Sequence, residues 1–189
     1  MSSGRKEVEW MYSSEFERIG KRLFAEHLVG GNFGNISRRE GEGFYIKRTG
    51  TYLDAATEPV FVPLSGEPPK DASTEFRVHR EVYKNSRHAA IVHAHPPHAV
   101  ALSFLSDEIK PVDSEGELLC PVIPVVTGAP GSQEIADSVA TALARSNLVI
   151  VRGHGTFAAG KDLDEAFVFT SLAEYSCRIL SIKGGCTGR

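Results

Sequence analysis

The chain has 189 residues, with 24 acidic and 21 basic side chains and a formal charge of -3. That length buries a full core within one domain spanning 1-189, its centre about 14-182, and the lack of any basic block argues against nucleic acid or an anionic membrane as partner. No apolar run approaches the ~20 residues of a membrane span, and Cys120, Cys177 and Cys186 form no C-x-x-C, so a soluble cytoplasmic protein is expected. Met1 to Tyr12 carries Arg5, Lys6, Glu7 and Glu9 in place of the apolar segment of an export signal. The first element reads as a helix opening at a Ser14/Glu17 capping box, with Phe16, Ile19, Leu23 and Phe24 on one face. It ends at Gly30-Gly31. The next residues, Asn32 to Ser37, belong to a small polar loop whose glycines let backbone approach a ligand and whose Asn32 and Asn35 amides offer donors. This is a candidate anion cradle, with a plain helix C-cap and turn as the bland alternative.

A strand at Gly43 to Lys47, a turn through Thr49-Gly50 and a short strand at Val60 to Val62 follow, with Pro63 to Lys70 as a surface connection. Asp71 to Glu75 is expected to open a second helix, with Phe76, His79, Val82 and Tyr83 on or beside one face. Hydroxyls of Ser73 and Thr74, together with the free N–H groups of a helix N-terminus, form a natural phosphate seat. Glu75 at the same end is either an acid that complements the helix dipole or a ligand to a cation.

The apolar stretch Ala89 to Ala94 then predicts a buried strand, and its alternation puts His93 and His95 on one face, about 7 Å apart along the chain. Pro96-Pro97 ends the strand just beyond them. A lone buried histidine is more often a satisfied core group, so the pair gains weight only from a third member. After a helix from His98 to Phe104, an acidic irregular excursion from Ser106 to Pro121, a strand at Val122 to Val126 and a helix from Ser132 to Arg145, that member arrives. The strongly apolar strand Leu148 to Val151 runs into Arg152-Gly153-His154-Gly155, where flanking glycines leave room beside His154 at a strand end. A capping box at Asp162/Glu165 starts the last long helix, and Gly184 to Arg189 reads as a loose tail. His98 is left out of the ligand set because the prolines turn the chain away.

Three neutral imidazoles are the usual protein complement of a catalytic zinc site with one position open, and Glu75 is a candidate displaceable fourth ligand. Nitrogen ligands also suit cobalt, nickel or manganese. Together with the donors at Asn32, Asn35, Ser73 and Thr74, the residues point to a metal-dependent enzyme acting on a phosphorylated, oxygen-rich substrate.

The blocks Gly31 to Ser37, Arg48-Thr49-Gly50, Ser73-Thr74-Glu75, His93-Ala94-His95 and Arg152 to Gly155 stand in the order and spacing of the class II aldolase/adducin family. The resemblance spans about Ser14 to Leu180 and is strongest to the L-fuculose-1-phosphate aldolase branch. It implies an α/β fold of three layers (α/β/α), a central mainly antiparallel sheet flanked by helices. It also implies a homotetramer with active sites at subunit interfaces. It maps zinc ligands onto His93, His95 and His154. Glu75 becomes the catalytic carboxylate, a resting ligand that moves off to shuttle a proton. Phosphate contacts fall on Asn32, Asn35, Thr49, Gly50, Ser73 and Thr74. The implied reaction cleaves a ketose 1-phosphate reversibly to dihydroxyacetone phosphate and a small aldehyde, through an enediolate whose charge zinc carries.

The chain departs from that branch in three places. Asp113-Ser114-Glu115 stands where the family has a tyrosine that serves the neighbouring subunit as general acid. The longer C-terminal tail over the aldehyde end is missing, and Lys47 and Arg48 replace small or proline residues before Thr49-Gly50, where they are placed to add charge near the phosphate. A sugar-phosphate dehydratase of the methylthioribulose-1-phosphate type keeps a glutamate at this position and is a rival on the same fold. A pentulose-phosphate 4-epimerase has aspartate there, and the adducin head, a non-enzymatic binding module, lacks the histidine set.

Overall fold

The computed structural model describes the backbone of residues 2–187 and the side chains of residues 10–185. Its elements in order are α1 (Ser2–Ala25), β1 (Asn35–Glu40), β2 (Gly43–Ile46), β3 (Val60–Pro63), α2 (Phe76–Asn85), β4 (Ala90–Ala94), α3 (Pro97–Ser103), β5 (Glu108–Ile109), α4 (Ser114–Leu119), β6 (Ile123–Val126), α5 (Gln133–Leu143), β7 (Leu148–Val151), β8 (Gly155–Gly160) and α6 (Leu163–Thr187). The strands form one sheet in the order β3-β2-β1-β4-β8-β7-β6-β5. Every neighbouring pair is antiparallel except β6 and β7, so the mainly antiparallel sheet expected from the sequence is the one observed.

Alternation along the strands divides the core into layers. On one face Phe44, Ile91, Val149 and Phe157 pack against Val78 and Val82 of α2 and Ile135 and Val139 of α5. On the other, Ile36, Tyr45 and Val92 meet Ile19 and Leu23 of α1 and Leu163 and Phe167 of α6. Leu148, Ile150 and Ala158 continue that second face against Ala99 of α3 and Leu172 of α6. Each such aliphatic or aromatic side chain contributes roughly 1.5–3 kcal/mol by burial. A one-residue slip of β4 would therefore exchange Ile91 for Val92 across the sheet and carry His93 to the wrong face. Cys120 and Cys177 are buried free thiols, and burial pushes them up to about 11 and about 12. No helix among the described residues is long and apolar enough to cross a membrane.

Several elements differ from the sequence reading. Ser14 is not the cap of α1, which starts upstream, because Tyr12 extends the Phe16, Ile19, Leu23 face by another turn and is itself buried. The loop expected through Ser37 gives way at Asn35 to β1. Ser37 is fully buried because its hydroxyl bonds His79 Nδ1 at 2.6 Å and the Tyr83 hydroxyl at 2.7 Å, so a polar residue occupies a core position. β8, with the sequence GTFAAG, has weak strand propensity, yet all six residues are buried between β4 and β7. The excursion from Ser106 to Pro121 holds β5 and α4, whose N-cap Asp113 accepts from the Gly116 N–H at 2.9 Å. At the other end, α6 continues to Thr187 through the stretch expected to be a loose tail.

Candidate metal centre and its pocket

Strand ends bring the three histidines together. His93 is the fourth residue of β4, on the α2/α5 face, where its ring stacks on Phe157 at 4.1 Å between centroids. His95 follows just past the strand, its N–H bonded to the Leu28 carbonyl at 2.8 Å. His154 sits in the turn between β7 and β8, its N–H on the Val151 carbonyl at 3.0 Å. The glycines beside it do not leave open space, as the sequence suggested, but allow close packing. A Cβ on Gly155 would lie 2.2 Å from the Ala94 carbonyl oxygen and 2.7 Å from His95 Cδ2, and one on Gly153 (φ +67) would meet the Phe104 ring at 2.7 Å.

The ligand atoms of His93, His95 and His154 all lie within 4.8 Å of one another. His93 Nδ1 is 2.9 Å from the Thr156 carbonyl, an acceptor, so Nδ1 carries the proton and Nε2 keeps its lone pair. That Nε2 faces the Nε2 of His95 at 3.0 Å. Two lone pairs so placed repel unless a proton or cation lies between them. Nitrogens bound at about 2.0–2.1 Å around one tetrahedral ion are themselves about 3.4 Å apart, close to the separation seen. His154 adds a buried Nδ1 with no hydrogen-bond partner. Burial drives His93 far below the usual imidazole range, with the other two histidines adding to the effect. It also pushes His95 down to about 4 and lowers His154. All three rings are thus neutral near pH 7, the form that ligates, and the donor set fits a divalent transition metal.

The histidines share a cavity of ≈ 240 Å³ with Asn32, Asn35, Thr49, Gly50, Ser73, Thr74 and Glu75. Every site residue named from sequence therefore lines one pocket. Glu75 is 8% exposed, its Oε2 has no partner, and burial raises its pKa, with the Gly131 N–H acting the other way. Its carboxylate is not part of the three-histidine group. The phosphate seat differs in detail from the sequence reading. α2 begins at Phe76, not at Asp71, so Ser73 and Thr74 stand in the turn before it, and the Phe76 N–H is taken by the Ser73 carbonyl at 3.0 Å. The Thr49 N–H is likewise engaged by the Asp71 carbonyl at 2.9 Å and the Ser73 N–H by the Lys47 carbonyl at 3.2 Å, which leaves the hydroxyls of Thr49 and Ser73 as their donors.

Lys47 and Arg48, expected from sequence to add charge near the phosphate, also line the pocket, as does Phe33, which was given no role there. Arg48 is paired with Asp71. Lys47, 7% exposed, donates from Nζ to the carbonyls of Asn32 at 2.5 Å and Gly34 at 3.0 Å. With no carboxylate partner among the described residues, it is pushed by burial down to about 8. A lysine directly after the apolar run Phe44-Tyr45-Ile46 was the available signal. His98 stays out of the site, its Nδ1 held by Glu174 Oε1 at 2.6 Å. Asp113 is the N-cap of α4.

Comparison with known proteins places this geometry. The Class II Aldolase and Adducin N-terminal domain model matches residues 14–181. L-fuculose phosphate aldolase of Methanococcus maripaludis is 33% identical over 166 residues, 85% of this chain and 91% of that protein. The crystal structure of l-fuculose-1-phosphate aldolase from Thermus thermophilus has a TM-score of 0.90 at 37% identity, covering 93% of this chain and 95% of that one. YgbL from Klebsiella pneumoniae, whose description leaves aldolase, epimerase and decarboxylase open, has a TM-score of 0.84 at 29% identity, over 93% and 91%. With its three histidines at the strand ends and a family match running almost the length of the fold, this chain belongs to the class II aldolase and adducin family.

Proposed function

We propose that the chain is a metal-dependent aldolase that cleaves a ketose 1-phosphate of the L-fuculose 1-phosphate kind, reversibly, to dihydroxyacetone phosphate and a small aldehyde. The observation that carries this reading is the meeting, in one pocket, of three neutral imidazoles, a buried carboxyl group with one unpartnered oxygen and a set of small polar donors. His93, His95 and His154 would hold the metal, zinc being preferred, and when bound it supplies Lewis acidity for negative charge on the ketone side of the breaking bond.

The remaining steps belong to side chains of this protein. Hydroxyls of Thr49, Ser73 and Thr74, the amides of Asn32 and Asn35 and the backbone at Gly50 bind the phosphate and so orient the three-carbon fragment. In cleavage the carbon–carbon electron pair stays with that fragment, the hydroxyl on the departing fragment gives its proton to solvent water in the open pocket as it becomes the aldehyde, and protonated Glu75 delivers its own proton to the carbon left behind and is reprotonated from solvent. In synthesis Glu75 takes the same proton away. Burial of Glu75 favours its protonated form, which suits a group that must hold a proton until the bond has broken. We further propose a homotetramer with sites at subunit interfaces. Exposed Leu119, Val168 and Tyr175 share one groove on α4 and α6, an apolar surface of the kind that association covers.

The test is an assay of zinc-loaded protein with L-fuculose 1-phosphate and, in parallel, ribulose 1-phosphate, coupling released dihydroxyacetone phosphate to NADH oxidation, with a chelated control. Chelator-sensitive release is the expected result. Consumption of sugar phosphate with loss of water and no aldehyde would move the reading to the dehydratase. Light scattering coupled to size exclusion reads the assembly, and a monomer at working concentration would exclude the tetramer.

A further inference from the structure

The seam between α2 and β1 carries a row of polar side chains where core aliphatics would be expected. On the α2 side it holds Glu75, His79 and Tyr83, one turn apart and all buried. On β1 it holds Asn35 and Ser37, which share a face because they lie two residues apart. Asn35 and Glu75 line the pocket at one end. At the other, Ser37 Oγ meets His79 Nδ1 at 2.6 Å and the Tyr83 hydroxyl at 2.7 Å. The His79 ring is held flat by Phe44, stacked at 6.4 Å, and by the Phe157 edge at 5.9 Å.

Counting donors fixes the proton positions. Burial drives His79 down to about 3, so its ring is neutral and carries one N–H. With that hydrogen on Nδ1, His79 would donate to Ser37 and Ser37 to Tyr83, which strands both the phenol hydrogen and the Nε2 lone pair. The opposite direction, Tyr83 to Ser37 to Nδ1, leaves only the Nε2–H over. That nitrogen is buried and has no hydrogen-bond partner. One turn nearer the pocket, Glu75 Oε2 is a buried acceptor that also has none. The turn between them is closed, the His79 N–H lying 3.4 Å from the Glu75 carbonyl. Residues four apart on a helix have Cβ atoms about 5–6 Å from one another, and helical side chains lean toward the N-terminus, so His79 leans toward Glu75. Asn35 Oδ1 is a further unpartnered acceptor on the seam, but a carboxylate takes an N–H more strongly than an amide oxygen does.

We propose that His79 is a positioning residue for Glu75, its Nε2–H the donor that receives the Glu75 carboxylate whenever that group is ionised. Before the bond breaks, burial keeps the proton on Glu75. Once the proton is delivered, the carboxylate left behind has the Gly131 N–H as its one donor, and rotation of the side chain toward His79 supplies a second. In synthesis the same hydrogen bond holds the carboxylate ready to take a proton from carbon. His79 itself stays neutral and transfers nothing. This inference rests on the proton-shuttle reading of Glu75.

The experiment compares His79→Asn with His79→Gln, because asparagine carries its polar atoms near the Nδ1 position and glutamine near Nε2. His79→Asn keeps a partner for Ser37 and removes the donor toward Glu75, and His79→Gln does the reverse. The readout is exchange of solvent deuterium into dihydroxyacetone phosphate by zinc-loaded protein, followed by proton NMR, which reports the Glu75 step with no aldehyde present. Exchange should fall roughly 10-fold to 100-fold in His79→Asn and less than about 3-fold in His79→Gln, with zinc content and KM unchanged in both. In a Glu75→Gln background, His79→Asn should cost nothing further. A structural role through Ser37 and Tyr83 predicts the opposite order of the two variants. That order, equal losses in both, or a full effect without Glu75 overturns the proposal. Nitrogen-15 spectra of histidine-labelled protein, with His79 assigned by its loss in His79→Gln, read the donor without turnover. Nε2 should carry the proton, and its signal should shift in Glu75→Ala. A proton on Nδ1, or a signal indifferent to Glu75, also overturns it. If wild type exchanges no deuterium, the aldolase reading has failed, and the spectra alone decide whether His79 serves Glu75.

Discussion

Replacement of Lys47 by methionine tests whether the buried ammonium serves phosphate binding. The side chain is 7% exposed, donates to two loop carbonyls and titrates at about 8, down from the usual 10.5, because burial disfavours its charge. At about 1.4 kcal/mol per pH unit, that fall would cost about 3 kcal/mol, and screening through the open pocket roughly halves it. Loss of the two hydrogen bonds costs about 1 kcal/mol each in the opposite direction, so at pH 7 the variant should lie within about 1 kcal/mol of wild type. The pH dependence separates the terms. Between pH 8 and 10.5 the unfolded chain binds more protons than the folded one, so wild type gains about 1.5 kcal/mol relative to Lys47→Met as pH rises, readable as roughly 0.5–1 M in urea midpoint. Function moves the other way. A charged donor to phosphate contributes about 1.5–3 kcal/mol, so Lys47→Met should raise KM for the sugar phosphate by roughly 10-fold to 100-fold. In wild type kcat/KM should decline as pH rises through about 8, and the variant should lack that limb. An unchanged KM with the limb intact would falsify the role given to Lys47.

His154→Ala should lose zinc and activity together, which elemental analysis of the purified protein and the coupled assay check side by side. Glu75→Gln should keep zinc and lose roughly 10²-fold to 10⁴-fold in kcat; it should also melt no lower than wild type, because it removes a buried carboxylate whose Oε2 has no partner. Full activity in that variant would exclude Glu75 as the proton shuttle. Ser37→Ala should destabilise more than Tyr83→Phe in urea denaturation, by about 1–3 kcal/mol, since it orphans both His79 Nδ1 and the Tyr83 hydroxyl while Tyr83→Phe leaves Ser37 bonded to His79.

Which elements were legible follows from where their apolar residues lie. β4, β7 and α5 announce themselves because aliphatic residues carry the period and the turns beside them contain proline, glycine or a serine cap. β1 does not, because Arg38, Arg39 and a buried Ser37 interrupt its alternation, and Ser37 is stable there only through α2, forty residues on. β8 hides for the opposite reason. Glycine and alanine fill most of it because the strand is squeezed between two neighbours, and at Gly155 nothing larger than hydrogen fits against the Ala94 carbonyl. Local propensity carries no information about that tertiary constraint.

The site was more legible than the fold that makes it, and the register explains why. Asn35 of β1 lies opposite His93 of β4, His93 opposite Phe157 of β8, and Phe157 opposite Val149 of β7. One row across four strands therefore runs from a proposed phosphate donor through a proposed metal ligand into the hydrophobic core shared with α2 and α5. The chemistry fixes residue types at the polar end of that row, so histidine and asparagine stand out in the sequence at positions where packing alone would place aliphatics. Phe33 escaped assignment because its type is ordinary, and for Lys47 the sequence offered only added charge near the phosphate. Only the third dimension shows that the lysine braces the loop that carries Asn32, Phe33 and Gly34 beside His95, and hence that a change at Lys47 should be felt in that whole loop.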